Sequence, residues 1–275
     1  MKITTLLENK TTCDALRCEH GLSLYIETAK HKILFDSGAS DAFWENAKAL
    51  GIDLAQVDIA FLSHAHNDHC GGLLTFLRGN RTAKVYLQKE AFGDYYVVTP
   101  TKCAFIGLDP KLHEYADRFV MAEGVTKIDE ELTLFSGIRT HELLSEANAT
   151  LREKVGGDYP RDAFRHEQDL LVTEHGKTVL FAGCAHSGII NIINRAEDIL
   201  GRAPDYVFAG FHLYNPSLGQ SEPRALVDAV GERLRARKAT RYVTGHCTGD
   251  DAYVWLREAL GDRLAYMATG TTFTI

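Results

Sequence analysis

Apolar and polar positions alternate along this chain in short blocks that suit strands, separated by longer stretches of helical spacing. Leu22 to Glu27 and Lys32 to Phe35 read as two strands joined by the polar turn Thr28-Ala29-Lys30-His31. Asp41 to Leu50 has helical spacing, with Ala42, Phe43, Ala47 and Leu50 apolar, Ser40 or Asp41 as N-cap and Gly51 as the stop. A buried strand is predicted over Ile59 to Ser63, then a histidine-rich loop, a helix to about Leu77 and a strand over Lys84 to Leu87. Antiparallel strands at the start with strand–helix alternation afterwards predict a mixed sheet carrying helices on its faces.

The second half repeats the alternation. Leu170 to Thr173 and Thr178 to Phe181 form a predicted hairpin across Glu174-His175-Gly176-Lys177. Three apolar strands then each end in a glycine-bearing motif: Gly183-Cys184-Ala185-His186, Gly210-Phe211-His212 and Gly245-His246-Cys247-Thr248-Gly249. Helical segments separate them, at about Ser187 to Leu200, Glu222 to Arg237 and Asp250 to Ala259. Polar residues at successive strand ends converge on one rim of a sheet, where open α/β folds build their sites. Residues 88 to 168 fit less clearly. Glu90 to Val98 is aromatic-rich, Leu132 to Ile138 suits strands, and Ser145 to Gln168 is polar around Gly156-Gly157. This region reads as a less regular cap or lid within a single domain spanning 1–275, or as a tolerated surface excursion.

Composition narrows the class. At 275 residues, with 45% hydrophobic and 24% charged residues, the chain is an ordinary globular protein with ample core. A net charge of −7 argues against nucleic acid held by bulk electrostatics. No run approaches a membrane span, and the opening residues lack the long apolar stretch of a secretory leader. The six cysteines form no C-x-x-C pair, which suits reduced thiols. A cytoplasmic location is expected, with no membrane partner; homo-oligomerisation is left open.

The chemistry concentrates in Ser63-His64-Ala65-His66-Asn67-Asp68-His69-Cys70-Gly71-Gly72. Three imidazoles and a carboxylate within six positions, between an apolar run and a helix start, suit a metal site rather than a polar loop. His64 and His66, two apart, can grip one ion; Asp68 and His69, turning into the helix, can face a second.

These residues resemble the H-x-H-x-D-H signature of the metallo-β-lactamase superfamily. Lys32-Ile33-Leu34-Phe35-Asp36-Ser37-Gly38 resembles its early strand and aspartate turn. The three later motifs are similar to a branch labelled as a dihydropterin-aminobenzene-ribofuranosyl phosphate synthase. The resemblance implies a four-layer αββα sandwich with mixed sheets and a centre of one or two zinc ions, with iron or manganese as alternatives. It places His64, His66 and His186 on a first ion and Asp68, His69 and His246 on a second, with hydroxide formed from coordinated water as the attacking group. It also implies that Asp68 orients that group, that His212 donates a proton to the leaving group, as in tRNA-processing relatives, and that Asp36 orients a ligand from behind.

Two positions depart from that pattern. Cys184 stands where the superfamily carries a bridging aspartate; a thiolate there can ligate, or the residue can be a buried free cysteine. His141 and His166 compete with His186 as third histidine of the first ion; His186 is preferred, and the other two then read as exposed polar residues. Thr248 and Gly249 offer hydroxyl and N–H groups to an anion, and Arg152, Lys154, Arg161 and Arg165 form a basic cluster in the polar loop.

The leading expectation is a metal-dependent hydrolase of a small anionic substrate, a phosphate ester or an acyl or lactone compound, with substrate contacts from Thr248 and Arg165. Alternatives are a pterin-related synthase or transferase, an iron-dependent oxidoreductase, and a metal-binding sensor without turnover. The flavodiiron kind of oxidoreductase usually has glutamate where His66 stands, and an appended domain for which this chain has no room.

Overall fold

The computed structural model describes residues 1–275 and contains two seven-stranded sheets. The first runs, in spatial order, Thr272–Thr274, Lys2–Leu7, Ser23–Glu27, Lys32–Phe35, Ile59–Phe61, Lys84–Gln88 and Phe119–Ala122. The second runs Leu264–Tyr266, Arg241–Gly245, Tyr206–Gly210, Lys177–Phe181, Gln168–Glu174, Leu132–Ser136 and Val125–Lys127. Each sheet has antiparallel pairings at one side and parallel pairings at the other. The two halves of the chain therefore build similar layers.

Three cores hold the layers together. Ile3, Leu24, Phe35 and Phe61 from the first sheet pack against Leu170, Phe181, Phe208 and Val243 from the second. The outer face of the first sheet is covered by helices Ala42–Ala49 and Leu73–Gly79, through Phe43, Leu73 and Phe76. Helices Ile189–Leu200, Arg224–Ala236 and Asp250–Leu260 cover the second, through Ile192, Val230 and Leu256. Strands buried on both faces carry near-continuous apolar runs, which is why Val179-Leu180-Phe181 shows no alternation. The result is an αββα sandwich with mixed sheets, as the resemblance implied.

The structure narrows the cap reading of residues 88–168. Phe119–Ala122, Val125–Lys127 and Leu132–Ser136 are strands of the main sheets. Only Tyr95–Thr99, Lys102–Phe105 and Leu151–Glu153 form a separate three-stranded sheet beside the sandwich. No helix is long and apolar enough to cross a membrane.

Candidate metal centre

One strand of the first sheet and three mutually parallel strands of the second deliver the candidate residues. His64 and His66 follow Ile59–Phe61, Cys184 and His186 follow Lys177–Phe181, His212 follows Tyr206–Gly210 and His246 follows Arg241–Gly245. The short helix Asn67–Cys70 carries Asp68 and His69 on its only turn. His64, His66, His69, His186, His212, His246 and Cys184 are all buried.

The hydrogen bonds behind the rings assign their free nitrogens. His69 Nδ1 lies 2.6 Å from Asp36 Oδ2, His246 Nδ1 2.9 Å from Asn9 Oδ1 and His186 Nδ1 2.9 Å from Asn148 Oδ1. Ser63 gives its hydroxyl proton to Asp36, so at 2.9 Å it accepts from His64 Nδ1. In each ring Nδ1 therefore carries hydrogen, and in the neutral imidazole Nε2 keeps a bare lone pair. Those Nε2 atoms face each other in pairs: His64 and His186 at 3.2 Å, His69 and His246 at 3.1 Å. Facing lone pairs repel unless a cation lies between them. Asp68 Oδ2 is 3.1 Å from His246 Nε2, and Cys184 Sγ is 3.1 Å from His69 Nε2. This donor set fits borderline metal ions.

Cys184 stands at the junction. Its sulfur groups with Asp68, His69 and His246 on one side and with His64 and His186 on the other, the donor atoms of each group lying within 4.8 Å of one another.

Burial and the neighbouring His69 and His66 hold the His64 pKa well below the usual imidazole value, and burial and His212 do the same for His186. Both rings are neutral and ready to ligate. Burial opposes ionisation of Asp68, but His69, His20 and His246 hold its carboxyl well below the usual range. Burial also opposes protonation of His69, yet Asp36 and Asp68 draw its pKa up, so a proton competes there with a metal ion. Burial, with the adjoining Cys247 thiol, pushes Cys184 well up, so its proton yields only to a strong partner such as a metal.

One segment of the cap side clamps two of the proposed first-ion ligands. Asp162, itself buried, places Oδ2 3.0 Å from His166 Nε2 and 3.6 Å from His66 Nε2. Phe164 stacks on His186 with centroids 4.5 Å apart and planes 2° from parallel. Glu167 accepts from the His186 and Ser187 amides at 2.6 and 2.9 Å. Five of the seven non-glycine residues with positive φ belong to this neighbourhood: Asp36, Phe164, Ala185, His212 and His246. Left-handed backbone at such residues persists only where surroundings enforce it, and it clusters at functional sites.

The residues missed in the sequence are these supports. Asp162, Asn9, Asn148, Glu167 and His20, whose Nε2 is 3.3 Å from Asp68 Oδ2, lie in no motif. His141 is exposed as expected, but His166 is not: it is fully buried, accepts from the Ala65 amide through Nδ1 and faces Asp162 through Nε2. Its nitrogens are committed because the His66 loop packs over it.

The two substrate-binding expectations meet different geometry. The Thr248 hydroxyl is fully buried, accepting from Phe211 N and bonded to Thr244 Oγ1 at 2.6 Å, so it braces strand ends instead of facing a ligand. Arg165 is paired with Glu153 at 2.6 Å and lines a separate polar groove. Arg161 reaches Glu146 across the surface. None of the four basic loop residues lines the histidine cavity. That cavity, about 310 Å³, is lined by His20, His66, Asp68, Cys184, His186, His212 and Cys247 at its base and by Val97, Lys102, Ile106 and Leu151 from the cap. Both ring nitrogens of His212, although buried, lack hydrogen-bond partners.

The metallo-β-lactamase superfamily profile matches residues 16–98. The fold is similar to that of Tm1679, described as a metal-dependent hydrolase of the β-lactamase superfamily, with TM-score 0.84 and 25% identity over 100% of this chain and 99% of that one. The metallo-β-lactamase likeness thus covers residues 16–98 by profile and the whole chain by fold. The chain is 27% identical, over 265 residues, to the 7,8-dihydropterin-6-methyl-4-(β-D-ribofuranosyl)-aminobenzene-5′-phosphate synthase of Methanocaldococcus jannaschii, covering 90% of this chain and 88% of that one. It is 29% identical to an uncharacterized protein of the same organism over 221 residues, 77% of this chain and 80% of that one. The resemblance to the synthase branch therefore extends over most of the chain.

Asp162→Asn keeps the size of the side chain and removes its charge behind His66, so metal affinity should fall by about 10- to 100-fold while the fold persists. Competition with a chelating dye checks this. Unchanged affinity would leave Asp162 a purely structural partner of His166.

Proposed function

We propose that the protein is a metal-dependent hydrolase of a small anionic substrate. The observation that carries this reading is the paired bare Nε2 atoms with Asp68 and Cys184, beneath a cavity that also holds an unpartnered imidazole. His64, His66 and His186 would hold one ion and Asp68, His69 and His246 a second, with Cys184 between them. Zinc suits this set of imidazole, carboxylate and thiolate. A metal there supplies Lewis acidity and lowers the pKa of water from about 15.7 towards 7.

The chain's own residues do the rest. Asp68, held ionised, orients the attacking water. His212 holds a proton and passes it to the leaving oxygen. Lys102 meets the substrate's negative charge, taking the role first expected of Arg165 and Thr248. Val97, Ile106 and Leu151 exclude bulk water. A phosphate ester or an acyl or lactone group fits this division of labour.

A second reading is a pterin-related synthase or transferase, favoured by the 27% identity to the M. jannaschii synthase over most of the chain. There the apolar cap residues would cover a flat ring and Lys102 a phosphate.

The test is a panel of phosphate mono- and diesters and lactones, with protein stripped by chelator and then reloaded. Turnover of at least one class should vanish on stripping and return with zinc, iron or manganese. Turnover that persists in metal-free protein would overturn the metal-dependent reading. Fully loaded protein inert on the whole panel but coupling a pterin to an aryl ribosyl phosphate would select the synthase.

A further inference from the structure

Cys184 and Cys247 leave the ends of two strands, Lys177–Phe181 and Arg241–Gly245, that flank Tyr206–Gly210 in the second sheet. The middle strand ends in Gly210, and that residue is what lets the two sulfurs meet. A Cβ at position 210 would lie 2.5 Å from Cys247 Sγ and 3.5 Å from Cys184 Cα. Without it the sulfurs share a group with His212 whose donor atoms all lie within 4.8 Å, and Cys247 Sγ reaches the Cys184 carbonyl at 3.6 Å. Both side chains are almost wholly buried, yet both line the 310 Å³ cavity, where a small oxidant can enter. The other cysteines differ. Cys13, Cys18 and Cys103 are exposed on the surface, and Cys70 is buried with its thiol on the Ala65 carbonyl.

We propose that Cys184 and Cys247 form a reversible dithiol–disulfide pair, oxidised by hydrogen peroxide or a small organic peroxide. One sulfur attacks a peroxide oxygen, the O–O bond breaks and water leaves (the alcohol, where the oxidant is an organic peroxide), giving a sulfenic acid. The second thiol then displaces the sulfenic oxygen as water and the S–S bond forms. In sum, two thiols lose two electrons and two protons, and hydrogen peroxide becomes two waters. A bond of about 2.05 Å requires the two sulfurs, which lie within 4.8 Å of each other, to close that gap. A disulfide sulfur is not a thiolate donor, so oxidation also weakens a metal held through Cys184. That last consequence rests on the proposed ligand role of Cys184; the disulfide does not.

The experiment treats the purified, metal-loaded protein with graded hydrogen peroxide, quenches with an alkylating reagent and maps the peptides without reduction, measuring released metal in parallel. The expected product is a Cys184–Cys247 linked peptide about 2 Da lighter than the sum of its reduced halves, restored by dithiothreitol. Cys247→Ser should abolish the link, and Cys184→Ser should do so too, while Cys13, Cys18 and Cys103 remain oxidisable in both. Sulfinic acid at either buried position without the linked peptide would overturn the proposal, as would links confined to the surface cysteines. A linked peptide formed with all metal retained would uphold the pair and overturn the ligand role of Cys184, so the two readings fail separately.

Discussion

His64→Ala is expected to remove most of the tightly bound metal while leaving the fold in place. The ring is fully buried, its Nδ1 is fixed through Ser63 to Asp36, and its Nε2 stands 3.2 Å from that of His186. Removing it deletes a donor whose direction was already fixed, so the ion loses a bond made at little entropic cost. Supporting partners behind ligands are worth about 10- to 100-fold in affinity, and a ligand itself should exceed that. The substitution also takes away one of two facing lone pairs, so the metal-free protein should tolerate it. Its thermal midpoint should change little without metal and fall relative to wild type with metal, because the ion stabilises only the form that binds it. Metal content after exposure to a competing chelator, read with far-UV circular dichroism, checks both halves. The same tightly bound metal in variant and wild type would show that the site lies elsewhere.

How much of this was legible in the sequence divides along physical lines. The strands ending at Phe61, Phe181, Gly210 and Gly245 were readable because each is a compact apolar run followed by a polar motif, and such runs place the motif residues at strand ends whatever the remaining topology. The terminal strands Lys2–Leu7 and Thr272–Thr274 were not: they pair with each other across 270 or so positions, and nothing local marks that pairing. The span around 119–136 looked like part of a cap because its strands are short and partly exposed at a sheet edge, where alternation is weak. For the site, residue type and spacing announced His64, His66, Asp68 and His69. The carboxylates and amides that aim the rings carry no such signature. Asp162, Asn148 and Asn9 each reach a histidine at least 38 positions away in the chain, or 96 for Asp162 and His66, so only the folded geometry reveals them. Arg165 failed for the opposite reason: its charge was conspicuous in sequence, but Glu153 satisfies it on the surface.

His212 carries the largest catalytic expectation. It is buried, lies with its ring centroid 4.2 Å from that of His186, adopts a left-handed backbone with φ of 48°, and has no partner for either ring nitrogen. A satisfied structural histidine would have a hydrogen bond on at least one nitrogen, as His166 does on both. A ring held at the cavity wall with both nitrogens uncommitted suits a group whose partner arrives with the substrate. A positioned imidazole that protonates a departing oxygen contributes about a hundred- to ten-thousand-fold. His212→Ala should therefore keep the full metal complement and lose about that factor in kcat on substrates with basic leaving groups. On a nitrophenyl ester, whose leaving group departs without a proton, the loss should be far smaller. Comparing the two substrates at matched metal content gives the decisive ratio. A variant slowed equally on both would exclude proton donation. A variant that arrives depleted of metal would make His212 a ligand through its neighbours Cys184 and Cys247, and the division of ligands between the two ions would have to be redrawn.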